Sequence, residues 1–186
     1  ERCIEVIPEI DMPGHFSAAL ASYPRLGCTG GPDAVAMESG GVHKDVMCTA
    51  REESYVFVKN VLSEVAGLFP SEYIHIGGDE VPRDRWQVCP HCQALIKKEN
   101  IVASGEYSPE DILQYRFNEK VREIAAGLGK KIIGWDEIVS DYTSDEVLIM
   151  SWRGVGKGVA AMKRGNDVVL SPVGYSYFNN YQTYDI

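Results

Sequence analysis

The sequence predicts an α/β fold, a partial (β/α)₈ barrel, on three observations. Strand-like apolar runs alternate with amphipathic helical patterns, most runs lack a polar face, and polar or aromatic residues gather just past their ends. Strands buried on both sides with helices between them argue for a parallel sheet. No Gly-x-Gly-x-x-Gly follows any strand, which removes the best support for an open dinucleotide-binding sheet. The residues past the strand ends are Glu9, Asp11 and His15, then Asp79 and Glu80, then Trp135, Asp136 and Glu137, then Trp152 and Arg153, then Tyr175 and Tyr177. Barrels of this class assemble their active sites from such positions, at the carboxyl ends of the strands.

In chain order, the first strand is expected at 3–10, and the loop-rich stretch 13–47 reads as an insertion over the active-site face. Thr49 and Glu52 form a capping-box pair ahead of a helix carrying Tyr55, Val58, Val61, Leu62, Val65 and Leu68, with Gly67 and Pro70 at its exit. A strand follows at 73–77 and a short helix at 90–99. Ser108, Pro109 and Asp111 open a second long helix, with Leu113, Phe117, Val121, Ile124 and Leu128 on one face and Gly129 at its end. Strands at 131–135, 147–152 and 167–171 complete the pattern, with a helix at 155–164 stopped by Gly165. Five runs fall short of eight strands, so the chain reads as a large arc of a barrel.

At 186 residues and 45% hydrophobic, the chain can bury an ordinary core. A net charge of −9 spread along the sequence repels polyanions, which excludes nucleic acid and anionic membrane surfaces as partners. No apolar run approaches the ~18 residues that span a bilayer. The chain opens inside a predicted strand without an initiating methionine, so residues 1–186 are read as part of one barrel domain of a longer protein. An incomplete barrel presents open sheet edges, and self-association through them is expected; a strictly monomeric mass by light scattering at high concentration would count against it.

Five cysteines divide into three groups. Cys89-Pro90-His91-Cys92 supplies half of a zinc site, but no second Cys-x-x-Cys completes it, and buried reduced thiols are the preferred reading. No metal or cofactor is expected. Cys28 and Cys48 flank a glycine-rich loop and could staple it in an oxidising compartment. Cys3 reads as a small hydrophobe in an apolar strand.

The most informative stretch is His75-Ile76-Gly77-Gly78-Asp79-Glu80, where a buried strand ends in two glycines and then two acids. Two carboxyl groups in one pocket can break a glycosidic bond if one is protonated and the other ionised. Read alone, Asp79 is as well explained as the cap of a following helix.

With Ile7-Pro8-Glu9-Ile10-Asp11-Met12-Pro13-Gly14-His15, Gly134-Trp135-Asp136-Glu137, Ser151-Trp152-Arg153 and Tyr177, the stretch resembles glycoside hydrolase family 20, the β-N-acetylhexosaminidases. The blocks occur in family order over nearly the whole chain. The resemblance implies a TIM barrel of which strands three to seven are present. It implies retaining, substrate-assisted hydrolysis of terminal N-acetylglucosamine or N-acetylgalactosamine from glycans or chitooligosaccharides, through an oxazolinium intermediate. Glu80 would be the general acid and then the base, and Asp79 would hold the acetamido N–H. Tyr177 would bind the acetamido oxygen, Trp135 and Trp152 would wall the acetamido methyl, and His15 with Asp11 would support the acid. Trp86 would border the leaving-group subsite. It further implies a secreted, periplasmic or cell-surface location.

One departure bears on binding. Where the family usually has Tyr-Leu-Asp, this chain has Tyr177-Phe178-Asn179, so Asn179 replaces a charged partner of a sugar hydroxyl with a neutral one. The missing strands also normally bring further sugar contacts, and the isolated chain is expected to have little activity. Two other readings compete. One is a metal-dependent barrel hydrolase using His15, His75, Asp79 and Cys92; the other is a non-catalytic sugar-binding remnant.

Overall fold

A computed structural model describes residues 3–29 and 40–179. Its sheet has four parallel strands whose spatial order follows the chain, β1 (Tyr73–His75), β2 (Lys131–Trp135), β3 (Leu148–Ser151) and β4 (Val168–Leu170). Consecutive neighbours in strict order, all parallel, are the arrangement of a barrel wall rather than of a doubly wound sheet, whose order reverses. Ile132 and Ile133 are successive residues that point to opposite faces of β2, and both are buried, because the strand is covered on both sides. The register sets Ile74 beside Ile132 and Gly134 beside Ile149, so the strand ends come out level on one side of the sheet.

Helices α1 (Ser17–Ser22), α2 (Glu52–Leu68), α3 (Asp84–Val88), α4 (Pro90–Lys98), α5 (Pro109–Gly127), α6 (Val155–Lys163) and α7 (Val173–Ser176) fill the connections. The main core joins Val58 and Leu62 of α2 to Phe117, Val121 and Ala125 of α5 and to Ile74, Ile132 and Ile149 of the sheet. A second cluster joins Val46, Cys48, Trp86, Cys89, Cys92, Ile101 and Leu113. No helix among the described residues is long and apolar enough to cross a membrane. The helices α1 and α3 lie in stretches expected to be loop.

Helix α5 starts as its capping residues dictate. The Ser108 Oγ accepts from Asp111 N–H at 3.1 Å, while the Asp111 carboxylate accepts from Ser108 N–H at 2.8 Å. Replacing Ser108 by alanine should lower stability in urea unfolding by about 1 kcal/mol, and an unchanged midpoint would count against the cap. The box expected at Thr49 and Glu52 is not formed. Arg51 occupies the N-cap of α2 with no side-chain bond, and the buried Thr49 hydroxyl has no partner. Glu52 is the first helical residue, so Thr49 lies too far upstream to reach the first free N–H groups.

The strand expected at 3–10 is reduced to its end. Glu9 bridges His75 in parallel, Ile10 N–H donates to the His75 carbonyl at 2.9 Å and Met12 N–H to that of Ile76 at 3.0 Å. Upstream, Ile4 and Val6 are 73% and 60% exposed, and Cys3 is exposed rather than a packed hydrophobe. Apolar side chains alone do not make a strand; a neighbour must pair with the backbone.

All five cysteines are free. Cys28 and Cys48 are not joined, so the disulfide that partly supported a secreted location is absent. The sulfurs of Cys28, Cys48, Cys89 and Cys92 instead lie within 4.8 Å of one another. Gly30 and Gly31 of the loop between them fall outside the described residues.

Candidate active site

The site is built where β1 stops. Beyond His75 the backbone turns through Gly77 at φ +67°, Gly78 at φ +91° and Glu80 at φ +48°. On a continuing strand Asp79 and Glu80 would face opposite ways, and the left-handed turn brings them to one side. Gly77 is required for a second reason, since a Cβ there would stand 1.8 Å from Asp11 Oδ1. That close approach lets the Asp11 carboxyl accept from Gly78 N–H at 3.1 Å. Gln114 of α5 holds the Gly78 carbonyl at 2.8 Å, and Glu137 accepts from Glu80 N–H at 3.0 Å.

Both acids converge on one imidazole. His15 Nε2 lies 3.5 Å from Asp79 Oδ2 and 3.3 Å from Glu80 Oε2. The other Asp79 oxygen, Oδ1, is buried. The protonated Asp11 carboxyl beside Asp79 is within hydrogen-bond reach of its carboxylate. Burial, followed by the negative charge of Asp79, pushes the Asp11 carboxyl up to about 8, so at neutral pH Asp11 holds its proton beside an acidic neighbour. A folded-state pKa above the unfolded value of 3.8 gives a stability contribution that is full below that value and lost as pH rises toward 8. Urea midpoints should therefore fall from pH 4 to 8 more steeply in the parent than in Asp11→Asn; parallel profiles would refute the assignment.

The two indoles are tethered by acids. Trp135 Nε1 donates to Glu9 at 3.0 Å and Trp152 Nε1 to Glu137 at 3.3 Å. The Trp135 ring also packs on His75 with centroids 4.7 Å apart. Burial depresses the His75 pKa to about 4, and its Nδ1 accepts from Gly77 N–H at 3.0 Å. Its 3.3 Å approach to Glu9 is consequently a contact of a neutral ring and not an ion pair. Asp136, fully buried, accepts from the N–H groups of Trp152 and Arg153, each at 3.0 Å, and from the Arg153 guanidinium, which locks the end of β3 to that of β2. The Tyr177 phenol pKa is raised by burial and then by the charge of Asp79.

The structure thus gathers Asp11, His15, Asp79, Glu80, Trp135 and Trp152 on one side of the sheet. It does not gather Trp86 with them. Trp86 is wholly buried in the second core cluster, donating to the Met47 carbonyl at 3.0 Å, and offers no surface to a subsite. Asn179, the last described residue, is exposed. The metal set expected of a hydrolase is divided: Asp11, His15 and Asp79 form one group of ligand atoms, whereas Cys92 belongs to the cysteine group. Glu9, Asp136 and Glu137 carry structural duties in the site that the sequence reading left unassigned, although each follows a strand end. Clefts of 330 and 530 Å³ lie away from these residues, beside α2 and α5 and at the amino ends of the strands.

The catalytic-domain model of glycosyl hydrolase family 20 matches residues 1–185. A beta-hexosaminidase of Porphyromonas gingivalis is 40% identical over 183 residues, which are 98% of this chain and 23% of that protein. One from Vibrio furnissii is 36% identical over 185 residues, 99% of this chain and 29% of that protein. Among solved structures, a beta-N-acetylhexosaminidase from Bacteroides fragilis has a TM-score of 0.79 at 36% identity, covering 98% of this chain and 35% of its own. The exo beta-N-acetylglucosaminidase of Vibrio harveyi in complex with N-acetylglucosamine has a TM-score of 0.75 at 35% identity, covering 91% of this chain and 26% of its own. The chain thus spans 23% and 29% of the two curated relatives.

Proposed function

Since the chain belongs to glycosyl hydrolase family 20, we propose that the protein carrying it is a retaining exo-β-N-acetylhexosaminidase that uses the substrate's own acetamido group as nucleophile. The observation that carries this reading is the convergence of Asp79 and Glu80 on His15 Nε2, at 3.5 and 3.3 Å. The acetamido N–H of the substrate donates to the Asp79 carboxylate. Its carbonyl oxygen then attacks the anomeric carbon as the glycosidic C–O bond breaks, and Glu80 gives its proton to the leaving oxygen. Asp79 stays ionised and stabilises the cationic oxazolinium ring. Water next attacks the anomeric carbon, returns a proton to Glu80 and restores the amide with the original anomeric configuration.

Tyr177 supplies a hydroxyl to the acetamido oxygen, and the indoles of Trp135 and Trp152 enclose the methyl. An apolar box with one donor suits an N-acetyl group and leaves a free sugar hydroxyl unsatisfied. Tyr177→Phe should lower kcat by about 10²–10³, the usual effect of deleting a donor to developing charge. The deciding experiment compares 4-nitrophenyl N-acetyl-β-glucosaminide with the matching glucoside in the full-length protein. Cleavage of the first alone, with a β-configured first product by NMR, is expected. Comparable rates on both would overturn the reading.

A further inference from the structure

We propose that Cys28, Cys48, Cys89 and Cys92 form a tetrahedral zinc site that ties the bridged segments at Gly27 and Met47 to the corner preceding α4. The Cys28–Cys92 and Cys48–Cys89 sulfurs are 3.9 Å apart and the Cys48–Cys92 sulfurs 3.7 Å. Four thiolates at about 2.3 Å from a shared tetrahedral centre stand about 3.8 Å from one another. A disulfide would bring two sulfurs to about 2.05 Å and leave the other two without a reason to converge.

Backbone structure aims each ligand inward. The antiparallel bridge between Gly27 and Met47, with Cys48 N–H donating to the Leu26 carbonyl at 2.8 Å, sets Cys28 beside Cys48. Cys89 is the N-cap of α4, Pro90 opens the helix, and Cys92 lies in its first turn. Free N–H groups and the helix dipole at that end favour thiolates over thiols. The four sulfurs therefore come from three separate pieces of chain, folded against one another.

Donor chemistry identifies the ion. An all-sulfur tetrahedral set rejects magnesium and calcium, which need oxygen, and suits zinc. Cys48, Cys89 and Cys92 are buried under Val46, Trp86, Ile101 and Leu113, so no position is open to a substrate and the role is structural. His91, between the last two ligands, is exposed and takes no part. Binding replaces the thiol protons by the ion and releases them to solvent.

The site reaches the acids through a short path. Met47, next to Cys48, donates its N–H to the Pro13 carbonyl at 2.9 Å, and His15 follows two residues later. Holding Cys48 thereby fixes the strand of chain that delivers the imidazole to Asp79 and Glu80. The inference does not depend on the proposed reaction.

The test is elemental analysis of the full-length protein purified without chelator, beside Cys92→Ser, Cys28→Ser and Cys3→Ser. Each of the first two should lose one equivalent of zinc relative to the parent, and Cys3→Ser should lose none. Because a ligand variant could fail to fold, cobalt(II) is exchanged into the parent as a second measurement. Sulfur-to-cobalt charge-transfer bands with the visible bands of tetrahedral cobalt are expected. Unchanged zinc in Cys92→Ser, iron in place of zinc, an octahedral cobalt spectrum, or a disulfide among the four cysteines in mass spectra of the unreduced protein would each overturn the proposal.

Discussion

Glu80→Gln in the full-length protein is expected to lower kcat by about 10²–10⁴, the range of a deleted general acid. The amide keeps the shape of the side chain and the 3.3 Å approach to His15, but it cannot give a proton to the leaving oxygen. The loss should therefore grow with the basicity of the leaving group, larger for a chitooligosaccharide than for a nitrophenyl glycoside. Asp79→Asn should behave differently, because Asp79 stabilises the ring formed after attack and its loss should be similar for every leaving group. Leaving-group profiles of kcat/KM in the two variants separate these roles. Parallel profiles, or near-parental rates for Glu80→Gln, would defeat the assignment.

Gly77→Ala is expected to destabilise the fold by about 2–4 kcal/mol, combining a left-handed backbone with overpacking. The collision is with Asp11, whose Oδ1 and Cα would stand 1.8 and 2.9 Å from the new Cβ, so a side-chain rotation cannot relieve it. Activity should fall further than stability alone predicts, since Asp11 and the turn that presents Asp79 would be pushed apart. Gly67→Ala is the control: its Cβ meets nothing within 4 Å on helix α2, and it should stabilise by up to about 1 kcal/mol. Urea unfolding of both variants checks the pair, and an unaffected Gly77→Ala would remove the close approach from the account of the site.

Much of the fold was legible because its signals are local. Alternating apolar runs and helical faces placed β1 to β4, and Ser108 with Asp111 marked the start of α5 from side chains that bond their own backbone. What failed depended on partners distant in sequence. The apolar run 3–10 is exposed over most of its length because pairing reaches it only near Glu9. Trp86 looked like a loop aromatic near a subsite, yet the Met47 carbonyl and the second cluster take it into the interior. The sulfur group escaped notice for the same reason, as a bridge between remote segments brings Cys28 to Cys48, and core packing brings both to Cys89 and Cys92.

In the site, the candidate acids were legible as neighbours past a strand, but their relative orientation was not. Left-handed residues at 77, 78 and 80 decide it, and the glycines hint at two of the three. The sequence reading expected opposite protonation states within the pair Asp79 and Glu80. What it did not foresee is a third carboxyl behind them, Asp11, whose pKa burial raises.

The sealed carboxylate of Asp136 acts as a gauge block. By clasping the amides of Trp152 and Arg153 from a position one residue beyond Trp135, it couples the ends of two strands and with them the bases of two indoles. Under the proposed function, a ring system of the wrong breadth would have to pry those strands apart, which would put size discrimination in the scaffold rather than in the aromatic faces themselves.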